Sequence, residues 1–267
     1  MLRIALCLAL SCFVIACGGS EEPKKTAPAP AADDGGSEEE SFGRQTYSAD
    51  KGSATVSGTV KWSGKAPNRR PLDMGSDKFC EKCYEGQEAP RSMSAVVGAN
   101  GEFANIFVYV KNSGDMKNWK FPKGSSTRVI DQVKCMYTPY LIGVQTGDTL
   151  EIRNSDQTLH NIHATKDGND WFNKAQPAGS DAYTTTVTEA GMFTLKCDVH
   201  SWMKSFICVV DNPFFAVTGE DGKFSIPSLP AGSYTLVAWD SRKGKEMTKD
   251  FTVSDGGSAT VDFEFSK

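Results

Sequence analysis

The residues with the clearest capacity for chemistry lie in the second half of the chain. The sequence contains only three histidines, His160, His163 and His200, and all three fall within 41 residues. Cys197 and Met203 flank His200 in a C-x-x-H-x-x-M pattern. One short loop therefore offers a thiolate, an imidazole and a thioether, and soft sulfur ligands together with imidazole suit copper in both of its oxidation states. The pattern predicts a mononuclear copper site that performs one-electron chemistry.

Zinc is the alternative occupant of this cluster, bound by Cys197, His200, His160 and His163 together. His163 lies three residues after His160. On an extended strand the two side chains point to opposite faces, so only one of them can face a shared site. We therefore predict that only one of these two histidines is a ligand.

The elements that must position these residues are β-strands. From about residue 53 the chain shows short runs that alternate apolar and polar side chains, separated by turn residues such as Gly147-Asp148. No long stretch has helical periodicity, so the pattern indicates an all-β protein built from β-sandwiches. Cys197, His200 and Met203 then fall in the loop between the predicted strands 192–196 and 206–210. The predicted strands are 54–62, 107–110, 140–144, 149–153, 183–187, 192–196 and 206–210.

The stretch from about residue 128 to 210 resembles the cupredoxins, the blue-copper family with a Greek-key β-sandwich. Asn154 followed by His160-Asn161-Ile162-His163 is similar to the first ligand segment of the amicyanin and plastocyanin group, and Thr188 to Phe193 before Cys197 is similar to its last strands. The resemblance implies electron transfer through one type 1 copper ion. The ligands that it implies are His160, Cys197, His200 and Met203.

Three neighbours of the ligands are predicted to tune the site. Asn161 follows the first ligand histidine, and Val199 stands where amicyanin has proline, so its N–H is free to donate to the Cys197 sulfur. Asp198 follows the cysteine where the family often has Thr or Ser. Hydrogen bonds to the sulfur and nearby carboxylates shift the reduction potential in opposite directions, so the potential does not follow from the sequence.

The route by which electrons leave is also implied by the resemblance. In the family the second ligand histidine is the usual electron port, so the ring edge of His200 is expected at the protein surface. Trp202 lies in the same loop and is predicted to form part of an apolar patch around the port. The alternative is that Trp202 packs inward against a second domain.

A second resemblance covers the C-terminal part of the chain. Residues 222–236, which contain Leu229-Pro230-Ala231-Gly232, resemble the carboxypeptidase regulatory-like family, a small transthyretin-like β-sandwich, and Gly58-Thr59-Val60 is similar to its opening strand. We therefore predict one discontinuous domain, 53–125 with 212–267, into which a cupredoxin domain, 126–211, is inserted. Two sequential domains are the alternative. The resemblance implies no peptidase activity.

The N-terminus has the pattern of an export signal. Arg3 precedes an apolar run that ends at Ala16-Cys17 and is too short to span a bilayer comfortably. It resembles a bacterial lipobox, which predicts a signal peptide at 1–16 and a lipidated Cys17 that opens a disordered linker, 17–52. The expected location is the cell envelope, lipid-anchored, with the outer membrane favoured and the folded part in the periplasm or at the cell surface. An ordinary secretory signal is the alternative.

The remaining cysteines are odd in number, so at least one thiol is not paired within the chain. Cys80 and Cys83 form a C-x-x-C pattern with no second pair and no histidine nearby. In an exported protein this favours a structural disulfide, from Cys80 or Cys83 to Cys135. Cys208 is predicted to be a buried strand residue.

Several function classes are excluded by composition. The formal net charge is −4 and arginine residues do not cluster, so nucleic-acid binding has no electrostatic support. Three histidines are too few for multicopper oxidases or copper nitrite reductases, and a single cysteine in the ligand loop does not suffice for a dinuclear copper centre. We predict a membrane-anchored one-electron carrier, not an enzyme, with a cytochrome or oxidoreductase as redox partner. Copper storage or delivery, and a surface binding module, are the alternatives.

Overall fold

The computed structural model describes residues 44–267, which form 19 β-strands, one α-helix and three 3-10 helices. The predicted signal peptide and Cys17 lie outside these residues, as does most of the predicted linker. Among the described residues, no helix is long and apolar enough to cross a membrane. The strands are β1 (Gln45–Thr46), β2 (Ala54–Trp62), β3 (Phe107–Val110), β4 (Trp119–Lys120), β5 (Thr127–Val133), β6 (Met136–Thr138), β7 (Leu141–Gln145), β8 (Thr149–Asn154), β9 (His160–Lys166), β10 (Asn169–Gln176), β11 (Tyr183–Thr186), β12 (Gly191–Lys196), β13 (Lys204–Val210), β14 (Phe215–Val217), β15 (Lys223–Leu229), β16 (Gly232–Asp240), β17 (Lys245–Val253), β18 (Ser258–Thr260) and β19 (Phe263–Phe265). The helix is α1 (Lys78–Lys82), and the 3-10 helices are Ala49–Lys51, Met93–Ala95 and Gly114–Asn118.

The first sandwich uses strands from one continuous part of the chain, 127–210. Its two sheets have the orders β10-β9-β12-β13-β7 and β11-β8-β5-β6. Pairing is parallel between β13 and β7 and between β5 and β8, and antiparallel elsewhere. Alternate residues of β9, beginning with His160, point into the core, which follows from the two-residue period of a strand. The expectation of a mainly β-strand protein is confirmed.

The second sandwich combines strands that precede and follow the first. One sheet has the order β14-β3-β16-β17, and the other has the order β15-β2-β18, with β19 also pairing with β2. Phe215 in β14 aligns with Tyr109 in β3, so the chain leaves this sheet and returns to it at neighbouring strands. Its core is mainly aromatic and branched aliphatic, and includes Phe103, Phe214 and Phe263.

Strand β13 is buried on both faces. Ile207 and Val209 pack into the core of the first sandwich, while Phe206 and Cys208 pack with Trp239 of the second sandwich. This explains why the strand is a continuous apolar run instead of an alternating one. Cys208 is fully buried, as the sequence indicates.

The connection between β2 and β3 contains a segment that packs on the first sandwich. Residues 72–84, called here the cap segment, contribute buried Met74 and Cys80 to the core of the first sandwich. Asp77 begins α1 by accepting hydrogen bonds from the backbone N–H groups of Phe79 and Cys80, at 2.8 and 3.0 Å. Cys80 forms a disulfide with Cys135 in the turn between β5 and β6.

Candidate metal centre

The four predicted ligand residues lie at one end of the first sandwich. His160 is the first residue of β9, Cys197 follows β12, and His200 and Met203 occupy the loop that leads into β13. All four are at most 3% exposed. The sandwich therefore holds soft sulfur and imidazole side chains together in a site from which water is largely excluded.

Three of these side chains bring their donor atoms to one point. Nδ1 of His160 lies 2.9 Å from Nδ1 of His200, and Sγ of Cys197 lies 3.8 Å from Nδ1 of His200. One donor atom of each residue lies within 4.8 Å of the other two. Two imidazole nitrogens and one thiolate are the donor set that selects a blue-copper ion, so the residues present fit copper.

Backbone hydrogen bonds shape the ligand loop. Cys197 N–H donates to the carbonyl oxygen of Met203 at 3.2 Å, and Met203 N–H donates to the carbonyl oxygen of His200 at 3.0 Å. These bonds close the loop into a tight turn and bring the backbone of Met203 close to the backbones of Cys197 and His200. The Met203 side chain is buried, and Met203 stays the predicted fourth, thioether ligand.

The cysteine sulfur is itself held by backbone donors. The N–H groups of Asn161 and His200 donate to Cys197 Sγ at 3.3 and 3.4 Å. Burial raises the pKa of this thiol, but the contacts from His160 and from the N–H groups of Asn161, His200 and Val199 outweigh it and lower the pKa below the usual value. The site therefore favours the thiolate, the form that binds a metal.

A buried carboxylate, that of Asp156, contacts Nε2 of His160, the ring nitrogen that faces away from His200. Oδ2 of Asp156 accepts a hydrogen bond from His160 Nε2 at 2.9 Å. Burial lowers the pKa of His160, but Asp156 and Cys197 together raise the pKa to about 9. The Asp156 carboxylate also accepts from the N–H groups of Lys134 and Cys135, both at 2.7 Å. A carboxylate that orients the outer nitrogen of a ligand histidine is a common support in metal sites.

His200 is covered, and the expectation that its ring edge lies at the surface is wrong. The residue is 1% exposed. Its Nε2 faces Oδ2 of Asp77 at 3.3 Å and Sγ of Cys80 at 4.0 Å, so the cap segment occupies the position that solvent was expected to fill. Burial is also the main cause that lowers the pKa of His200.

Trp202 packs inward over the same histidine. Its ring centroid lies 4.9 Å from that of His200, and its Nε1 donates to the carbonyl oxygen of Cys135 at 3.0 Å. The half-buried indole thus lies over His200 beside the disulfide turn. The exposed apolar residues next to the ligands in sequence are Leu159 and Val199, which are 44% and 50% exposed.

His163 lies outside the cluster. Its Nδ1 contacts Asp198 at 2.9 Å and its Nε2 contacts Asp170 at 2.7 Å, on the opposite face of β9. The hydrogen bond to Asp170, followed by that to Asp198, raises the pKa of His163. The four-ligand zinc set is therefore not assembled, because His163 does not join the other three residues.

Sequence reasoning missed the two carboxylates that face the ligand histidines. Asp156 lies only four residues before His160, so its proximity was open to inference. Asp77 lies 123 residues before His200, and no local pattern connects them. Of the two pairings left open for the disulfide, the structure contains Cys80 with Cys135, and Cys83 is free.

Comparison with known proteins gives matches to solved structures only. No family model and no curated protein matches the chain. Amicyanin from Paracoccus versutus (Thiobacillus versutus) is 21% identical, over 33% of this chain and 84% of that protein, with a TM-score of 0.29. A purple cupredoxin from Nitrosopumilus maritimus is 22% identical, over 32% of this chain and all of that protein, with a TM-score of 0.28.

A third match is the copper-containing nitrite reductase from Thermus scotoductus SA-01. It is 20% identical over 31% of this chain, with a TM-score of 0.29, and the match spans only 22% of the reductase. Each of the three matches covers about a third of this chain, and none of them identifies the second sandwich.

Proposed function

We propose that the protein is a one-electron carrier that holds a single type 1 copper ion. The observation that carries this proposal is the convergence of His160 Nδ1, His200 Nδ1 and Cys197 Sγ in a buried site. A copper ion bound there supplies reversible one-electron chemistry. This chain's own residues supply two imidazoles, a thiolate and a thioether in fixed positions.

Rigidity of the donor set supports electron transfer over copper storage or delivery. Asp156 and Asp77 face the outer nitrogens of the two histidines, and two backbone N–H groups hold the Cys197 sulfur. A site whose side chains are fixed before the ion binds changes little between oxidation states, which favours fast exchange. Burial of all four ligand residues also leaves little access for a substrate, so we propose no enzymatic activity.

The domain organisation and location are proposed with this function. Pairing of β2 and β3 with strands after residue 212 supports a transthyretin-like domain, 53–125 with 212–267, around the cupredoxin domain, 126–211. We propose that Cys17 is acylated and anchors the protein in the bacterial envelope, with the outer membrane favoured. The Cys80–Cys135 disulfide fits an oxidising compartment such as the periplasm or cell surface. Its redox partner would be a cytochrome or an oxidoreductase.

The test is the visible and EPR spectrum of the copper-loaded protein. We expect an intense thiolate-to-Cu(II) charge-transfer band and a narrow copper hyperfine splitting. Cys197→Ser should abolish the band because an oxygen ligand cannot supply that transition, and His160→Ala should disrupt it. His163→Ala is the matched control and should retain it. A wild type without the band, or a band that survives in Cys197→Ser, would contradict the proposal.

Voltammetry separates electron transfer from storage. A carrier should give a reversible one-electron wave, because its ligands stay in place on reduction. A storage or delivery protein should release copper to a chelator on reduction and lose the wave on repeated cycling. Retention of copper through many cycles is the result that the present proposal requires.

A further inference from the structure

The cap segment brings a carboxylate from outside the first sandwich to the outer nitrogen of a predicted copper ligand. Oδ2 of Asp77 lies 3.3 Å from Nε2 of His200, while Nδ1 of the same ring faces Cys197 and His160. Asp77 therefore contacts the ring on the side opposite the predicted metal position. No other charged side chain of the described residues forms a salt bridge with His200.

The Asp77 carboxylate is held in this position by contacts to both oxygens. Its Oδ1 accepts the backbone N–H groups that begin α1, and its Oδ2 also accepts from the hydroxyl of Thr158 at 3.2 Å. Thr158 lies two residues before His160, so the carboxylate bridges the cap segment and the first ligand loop. The disulfide between Cys80 and Cys135 fastens the helix that Asp77 begins.

We propose that Asp77 is a positioning residue for the copper centre, which fixes the His200 ring through Nε2 and favours Cu(II) over Cu(I). The inference rests on the proposed copper function, and it adds a positioning residue that lies in the β2–β3 connection. A fixed negative charge stabilises the more positive oxidation state, and the low exposure of His200 limits the screening of that charge. Asp77, in the connection between β2 and β3 of the second sandwich, thereby lowers the reduction potential of a copper ion bound in the first sandwich.

Asp77→Asn is the variant that isolates this effect. Asparagine is as good an N-cap as aspartate, so its amide oxygen can keep the Oδ1 contacts to α1. Its NH2 group then faces Nε2–H of His200, which removes both the acceptor and the charge. The matched control is Asp73→Asn, which removes one charge from the same segment at an exposed position where Asp73 accepts from Gly75 N–H.

The first measurement is the midpoint potential of the copper-loaded protein. We expect the ratio of Cu(II) to Cu(I) affinity to fall about tenfold in Asp77→Asn, which is a positive shift of about 59 mV for one electron. Asp73→Asn should shift the potential far less. Equal shifts in the two variants would overturn the proposal, because they would show only the effect of net charge.

The second measurement reads the contact directly and does not depend on electron transfer. In the diamagnetic Cu(I) protein, Nε2–H of His200 should give a slowly exchanging proton resonance in the wild type. In Asp77→Asn, and more weakly in Thr158→Val, exchange with water should accelerate by at least an order of magnitude. A wild-type proton that exchanges at the rate of an exposed imidazole would overturn the proposal. Failure of the copper function would instead appear as a wild type without the blue band.

Discussion

Removal of the disulfide between Cys80 and Cys135 should cost a large part of the stability of the protein. The two cysteines are 55 residues apart, and the bond ties the cap segment to the turn between β5 and β6. The chain-entropy relation gives about 4 kcal/mol for a loop of that length, and native disulfides usually contribute about 2–5 kcal/mol. We therefore expect Cys80→Ala with Cys135→Ala to lower the free energy of unfolding of the copper-free protein by about 4 kcal/mol.

Both cysteines must be replaced because Cys83 is free and lies three residues after Cys80. A single Cys80→Ala change would leave Cys83 able to pair with Cys135 and hide the effect. Cys83→Ala is the matched control, since it removes a half-buried thiol from the same segment without touching the disulfide. It should change the free energy of unfolding by less than about 1 kcal/mol.

The assay is guanidinium denaturation of both variants and the wild type under non-reducing conditions, with the free energy extrapolated to water. Total tryptophan fluorescence is a suitable signal, because the five tryptophans include Trp202, whose indole contacts His200 and the Cys135 carbonyl. A loss below about 1 kcal/mol in the double variant would refute the reasoning, because it would mean that the bond restricts the unfolded chain far less than its loop length requires.

Three further predictions concern residues around the two sandwiches. Asp156→Ala should lower the free energy of unfolding by about 1–3 kcal/mol, because the buried N–H of Cys135 and the partly buried N–H of Lys134 lose their acceptor, and denaturant titration measures it. Since the hydrogen bond to Asp170 raises the pKa of His163, the stability that wild type has over His163→Gln should be full below about pH 6.5 and disappear as the pH rises through the raised pKa. A pH series of unfolding curves tests the sign, and an advantage that grows with pH would contradict it. Gly143→Ala should lower the melting temperature and cost about 1–3 kcal/mol, because a Cβ there would lie 2.6 Å from ring atoms of Phe215, and calorimetry measures it.

Local sequence patterns predicted what depends on local geometry. The two-residue period of β9 indicated that only one of His160 and His163 faces the core, and the resemblance to the cupredoxins implied that it is His160. Cys197, His200 and Met203 were recognisable because one short loop carries all three. The contacts of Asp77 and Cys80 with His200 were not predictable, because both residues belong to a distant part of the chain and no periodicity describes such contacts. The choice between Cys80 and Cys83 was open for a related reason: only the packing of α1 shows that Cys80 is the buried one.

The division of the second sandwich around the first has a consequence for the order of assembly. A chain delivered from its N-terminus presents β2 and β3 early, yet Thr59 in β2 pairs with Lys223 and β3 pairs with β14 and β16. All sheet partners of β5 to β13 lie within 127–210. The first sandwich is thus the first of the two sandwiches whose sheets can be completed as the chain is delivered. Cys80 is delivered before that sandwich and Cys135 is part of it. Their disulfide can therefore form before β15, β18 and β19, the strands that pair with β2, have been delivered.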